Sequence, residues 1–98
     1  MTRYESGAGI EREIKKHLES MGYSVIRSAG SKGCFDIVAF NREIVKFIQV
    51  KYVKDEKHKR VTKKEYARLK KIIIPDGTTK EIWFRIKGVK GYSIFNVC

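Results

Sequence analysis

A chain of 98 residues, 42% of them hydrophobic, has enough apolar material for one small domain with a modest core and is too apolar for disorder. Its 22 basic and 11 acidic residues leave a net charge of +11, a one-signed excess that suits a polyanion such as nucleic acid; the alternative is the solvated charged surface of many heat-stable proteins. No apolar run nears the ~20 residues of a membrane span, no signal-peptide core is present, and Cys34 and Cys98 lack zinc spacing, so a cytoplasmic protein with no membrane partner is expected.

In chain order, Ile10, Ile14, Leu18 and Met21 recur at helical spacing and predict a helix over 9–21, started by Ser6 or Gly7 and ended by Gly22. YSVIRS (23–28) reads as a strand and AGSKG (29–33) as a loop. FDIVAF (35–40) is a second strand, followed by the turn Asn41-Arg42-Glu43. Residues 44–53 form a third strand; the near-continuous apolar run IVKFIQV suggests a central position buried on both faces. Residues 54–61 are a charged loop. Thr62 and Glu65 have capping-box spacing for a helix to about Ile73, stopped by Pro75-Asp76-Gly77. EIWFRIK (81–87) and YSIFNV (92–97) are the last strands, with Gly88 and Gly91 around their turn. The order α-β-β-β-α-β-β predicts an α/β domain over 1–98, a mixed sheet flanked by helices.

Gln49 and Lys51 lie two apart on one strand and face the same way. If 35–40 pairs with 44–53 as a hairpin, Asp36 joins them. An acid, an amide oxygen and a lysine on one strand pair can hold a divalent cation and a phosphate. Magnesium takes hard oxygens and keeps several waters, so Asp36, the Gln49 amide and the Val50 carbonyl suffice as a start. Lys51 would then orient the attacking water or stabilise developing charge. The plain alternative makes Asp36 a turn cap and Lys51 an exposed strand-end lysine. It explains the glutamine less well, because a buried amide needs partners. At ~100° per residue, Glu11 falls at the edge of the apolar stripe and points partly toward the sheet, whereas Glu13 falls nearer solvent. Glu11 can equally serve as a first-turn acid on the helix dipole.

Residues 54–71 hold nine Lys/Arg and three Asp/Glu, more than half the excess charge. Lys63, Lys64, Arg68, Lys70 and Lys71 predict a basic helix face, extended by Lys32, Lys54, Lys57, Lys59 and Arg60 toward the loop. Phosphate contact fits it better than a solvated face, because only Glu65 is near enough in sequence to pair. Trp83, Phe84, Tyr92 and Phe95 read as sheet core or subunit contact rather than a base-stacking platform. His17 and His58 lack ligand spacing and are assigned no chemistry.

The combination of G-x-x-x-E-R-E from Gly7, G-Y-x-V-x-R-S-A-G-S from Gly22, DIVA at 36–39 and the QVK strand at 49–51 resembles the archaeal Holliday-junction resolvases of the PD-(D/E)XK nuclease superfamily. The likeness is close over residues 3–53 and loose over the basic helix. It implies a restriction-endonuclease-like fold and a magnesium-dependent endodeoxyribonuclease, with manganese as a substitute ion, acting as a homodimer on branched DNA. Glu11 resembles the helix acid of the metal site, Asp36 the motif aspartate and Lys51 the motif lysine. Arg12 and Arg27 match family arginines that contact phosphates or support the site, and Ser31 matches a loop serine beside it. Gln49 stands where the family usually carries glutamate, a QXK variant. The family's C-terminal region, which often completes the dimer, is shorter here. The leading expectation is cleavage of four-way junctions. The alternatives are a repair, restriction or mobile-element endonuclease acting on duplex or flaps, and a non-catalytic nucleic-acid-binding module.

Overall fold

The computed structural model describes residues 7–27 and 35–97, so the expectations on Ser31, Lys32, Cys34 and Cys98 lie outside the described residues. Helix α1 (Gly7–Ser20) buries Ile10, Ile14 and Leu18 on one face. It stops at Ser20, and Met21 turns to solvent instead of extending the stripe. The cause is Gly22, whose φ of 96° is a left-handed terminator; the N–H groups of Met21 and Tyr23 both return to the Leu18 carbonyl.

Strands β1 (Ser24–Arg27), β2 (Ile37–Phe40), β3 (Val45–Val53), β4 (Thr78–Ile86) and β5 (Ser93–Val97) form one sheet in the order β1-β2-β3-β4-β5. β3 and β4 are parallel and every other pair is antiparallel, so the sheet is mixed. The parallel step requires a crossover, and α2 (Lys63–Lys70) lies within it. The expected α/β order is thus observed. On one side of the sheet α1 packs Ile10, Ile14 and Leu18 against Ile37, Ala39, Ile48 and Trp83. A second cluster joins Leu69 of α2 to Ile82, Phe84 and Val97.

Three boundaries and the burial of β3 differ from expectation for physical reasons. β2 begins at Ile37 rather than at 35, because Asp36 bends out of the ladder to use its side chain. α2 ends at Lys70, and β4 begins at Thr78 rather than at 81. One residue accounts for much of both: Lys80 is buried, and its ammonium donates to the carbonyls of Leu69 (2.8 Å), Lys70 (3.1 Å) and Ile72 (2.9 Å). A lysine thereby satisfies carbonyls that the helix end leaves over. Finally, β3 is central, but only Ile48 of its residues is fully buried, whereas β4 is buried along most of its length. The short α2 leaves part of β3 uncovered, and this partly open stretch holds Gln49 and Lys51.

Candidate active site

The β2–β3 ladder ends at the pair Ile37–Ile48. Immediately beyond it, Asp36 is tied on both sides of Gln49. Its N–H donates to the Ile48 carbonyl at 2.8 Å, and its carboxylate accepts from the Val50 N–H at 2.8 Å. This is a cross-strand bond rather than the turn cap of the plain alternative. The N–H and C=O of a strand residue leave on the same side. The Val50 carbonyl therefore also faces the side where β2 has ended.

Gln49 and Lys51 share the other parity of β3. The Oε1 of Gln49 is buried and has no hydrogen-bond donor among the described residues. An unsatisfied buried amide oxygen costs on the order of 1–3 kcal/mol, so it marks a place for a missing partner. Lys51 is not an exposed strand-end residue. Its ammonium forms a close ion pair with Glu65 of α2.

Glu11 of α1 approaches from the helix layer, as its position on the wheel implied. Its carboxylate lies 3.5 Å from the Arg27 guanidinium. Burial and the nearby Asp36 carboxylate push the Glu11 pKa above its ordinary value, against the lowering effect of Arg27. A carboxyl whose proton affinity is raised by burial and a neighbouring carboxylate is a natural seat for a cation. The Nε of Arg27 is a second buried orphan: among the described residues it finds no acceptor. Among the described residues, an unpaired buried donor thus stands beside Glu11 and an unpaired buried acceptor on the strand tied to Asp36, and they suit a ligand with phosphate oxygens and a hard cation. No group of three His, Cys, Asp or Glu side chains in ligand position occurs among the described residues. Any cation here would rest on Glu11, Asp36 and neutral oxygens.

Glu65 is the residue that sequence reasoning placed only as a helix cap. It does cap: its carboxylate accepts from the Thr62 N–H at 3.2 Å, and Thr62 Oγ1 accepts from the Glu65 N–H at 3.1 Å. Its other oxygen reaches Lys51. That bond, before the cap bonds, draws the Glu65 pKa below the ordinary carboxylate value.

The basic surface is largely as expected. Arg12, Lys54, Lys57, Arg60, Lys63, Lys64 and Arg68 are exposed and make no ion pair with a described residue. Lys59 differs: it is half-buried, pairs with Glu56 at 2.7 Å and reaches Ser93 Oγ at 3.3 Å. Glu13 is exposed, as expected, but it also has partners. It lies 3.6 Å from Arg85 and accepts from Tyr92, whose hydroxyl burial and Glu13 together push to about 12. Trp83 and Phe84 are buried and Tyr92 packs on Trp83, so these aromatics are core.

Away from the cluster, Glu81 is almost fully buried and accepts from Lys46, Thr79 and Trp83, each at 2.8 Å. Neither it nor Lys46 was singled out from the sequence, although Lys46 is a charge inside an apolar run and Glu81 one at the start of another.

The family model for the archaeal Holliday junction resolvase (Hjc) matches residues 2–95. The chain belongs to that family. The crossover junction endodeoxyribonuclease Hjc of Methanocaldococcus jannaschii is 54% identical over 37 residues, 38% of this chain. Those residues make up 27% of that relative's length. Among solved structures, Archaeoglobus fulgidus Hjc, a Holliday junction resolvase from an archaeal hyperthermophile, superposes with a TM-score of 0.69 at 25% identity, covering 93% of this chain and 72% of that one. The mixed sheet and its two helices are therefore the family's fold.

Proposed function

We propose that the chain is a divalent-cation-dependent endodeoxyribonuclease that cuts branched DNA, four-way junctions before other forms, and that it works as a homodimer. The observations that carry this reading are the closeness of Glu11 to Asp36, the tie of Asp36 to β3 on both sides of Gln49, and the buried Gln49 oxygen without a donor among the described residues, two positions before Lys51. The family's name and those of the two relatives support the substrate class.

Glu11, Asp36, Gln49 and the Val50 carbonyl would hold magnesium, or manganese in its place. The buried, donorless Gln49 oxygen is the hard neutral ligand such a site needs. When bound, the cation supplies a more acidic water and offsets phosphate charge. The protein's own groups do the rest. The Val50 N–H fixes the orientation of Asp36. Lys51 offers donors to charge that develops on the phosphate, in a half-buried place where such interactions outweigh those in water. Arg27 Nε, without an acceptor among the described residues, can donate to a phosphate oxygen. The exposed cations of 54–68 hold the DNA backbone without reading bases, which suits recognition by shape.

Paired incisions across a junction require two sites. β5 is an edge strand with Ile94 and Phe95 exposed, a surface of the kind that subunits cover. The deciding experiment is a cleavage panel of four-way junction, flap and linear duplex in Mg²⁺, with Asp36→Asn as control. Junction cutting well above the other two, abolished in the variant, is expected. Equal rates on all three would point to a duplex nuclease, and tight binding without cutting to a nucleic-acid-binding module.

A further inference from the structure

We propose that Glu65 supplies the carboxylate charge that Gln49 lacks and is the positioning residue for Lys51. The inference rests on the cleavage reading above and extends it to a residue outside the family motif.

The charge balance comes first. The acids Glu11 and Asp36 stand close to one another with Arg27 paired to Glu11, and the cation Lys51 and the neutral Gln49 oxygen belong to the strand to which Asp36 is tied. Two acids against two cations leave no net field to attract a divalent ion. Glu65 tips the balance by one negative charge, and it does so by neutralising Lys51, which shares a strand face with Gln49. A glutamate at 49 would do the same from within the strand. Here the charge arrives from α2.

Geometry makes Glu65 a fixed partner rather than a passing one. One of its oxygens takes the Thr62 N–H and Oγ1, at 3.2 and 3.3 Å, and the other takes Lys51. Its backbone is held in the first turn by the same capping box. Lysine has a flexible four-carbon stem, so an ammonium used in chemistry needs an anchor. Both partners are about three-quarters shielded, which limits solvent screening of the pair. With no third acid in ligand position among the described residues, Glu65 acts through charge and through Lys51, not as a ligand.

The test is Glu65→Gln. Glutamine at this helix position still closes a capping box, so α2 is kept while the charge is removed. Two readouts are taken: calorimetric titration of the DNA-free protein with Mn²⁺, and steady-state cleavage of a four-way junction. Mn²⁺ affinity should fall about tenfold and kcat by about 10–100-fold, with KM for the junction within about twofold and a melting temperature only slightly lower, since the Lys51 pair is lost while the capping box is kept. Adding Gln49→Glu to Glu65→Gln should restore both Mn²⁺ affinity and kcat. Equal Mn²⁺ affinity and kcat in Glu65→Gln and the parent would overturn the proposal, as would failure of Gln49→Glu to rescue. If the parent binds Mn²⁺ but cuts nothing, the cleavage reading falls, and the titrations still decide whether Glu65 sets the field.

Discussion

Strand β3 carries two lysines whose surroundings differ in kind. Lys46, near its start, meets Glu81, and that carboxylate also takes Thr79 and the Trp83 indole, so the buried charge is fully partnered within the fold. Lys51, near its end, meets Glu65 in a cluster that holds an amide oxygen and a guanidinium nitrogen with no described partner. Burial pushes the Glu81 pKa up, but the bonds from Lys46, Trp83 and Thr79 outweigh it and leave the carboxyl below its ordinary value. At Glu11 burial wins, and the value is raised. A polar network that serves folding satisfies itself, whereas one that serves a ligand leaves atoms open and acids strained.

The sharpest way to break this contrast is Asp36→Asn. Asparagine can still accept from the Val50 N–H, so the strand end should hold while one charge is removed. Junction cleavage is expected to fall by about 10³-fold, with little change in melting temperature. A large loss of stability with proportionate loss of activity would make Asp36 a structural residue like Glu81.

The mirror experiment is Lys46→Met. It strands Glu81 with two donors in a buried place, and removing one member of a buried pair costs about 3–5 kcal/mol. Urea denaturation should show a loss near the lower figure, because Thr79 and Trp83 remain. Cleavage per folded molecule should be unchanged. Stability of the parent should also decline with acid: a depressed carboxyl stabilises above its unfolded value of 4.5 and loses that contribution as pH falls through its lower folded value.

The same two networks explain what could be read without coordinates. Asp36, Gln49 and Lys51 were legible because strand alternation and one hairpin register suffice to bring them together. Glu11 needed only a helical wheel. The capping role of Glu65 was legible for the same reason: it is local. Its bond to Lys51 depends on where the crossover sets α2 against β3, and no local pattern encodes that. Lys80 was missed because TTK before an apolar run reads as the end of a loop, and Glu81 was read as the first strand residue without its partners. TTK becomes strand because Lys80 finds three carbonyls of the α2 end and Glu81 finds three donors. Glu13 was read correctly as exposed, but its partners Arg85 and Tyr92 come from the far end of the chain and no local pattern shows them.

A third region sharpens the comparison by belonging to neither network. Lys63, Lys64 and Arg68 on α2 are exposed and make no ion pair with a described residue. Replacing all three with alanine should flatten the dependence of log K on log salt by about 0.9 for each phosphate that these side chains neutralise, similarly on junction and duplex. The kcat at saturating DNA should stay close to the parent's. An unchanged slope would remove α2 from the DNA path and leave the positive charge to solvation.

The smallest effect tests the strained side of the contrast directly. A carboxyl whose folded pKa is raised above its unfolded value of 4.5 costs stability while it is charged, and the cost disappears as pH falls through the folded value. Glu11→Gln keeps an acceptor for Arg27 and removes the charge that Asp36 opposes. The variant should therefore melt about 1–2 °C higher than the parent at pH 7, with the gain shrinking toward zero near pH 4. It should lose junction cleavage over the same range in which it gains stability. An acid that weakens the fold by its presence is hard to explain as a dipole complement at the start of α1, since that role would make its removal destabilising. A lower melting temperature for Glu11→Gln at neutral pH would return Glu11 to that structural role and leave Asp36 as the cluster's one functional acid.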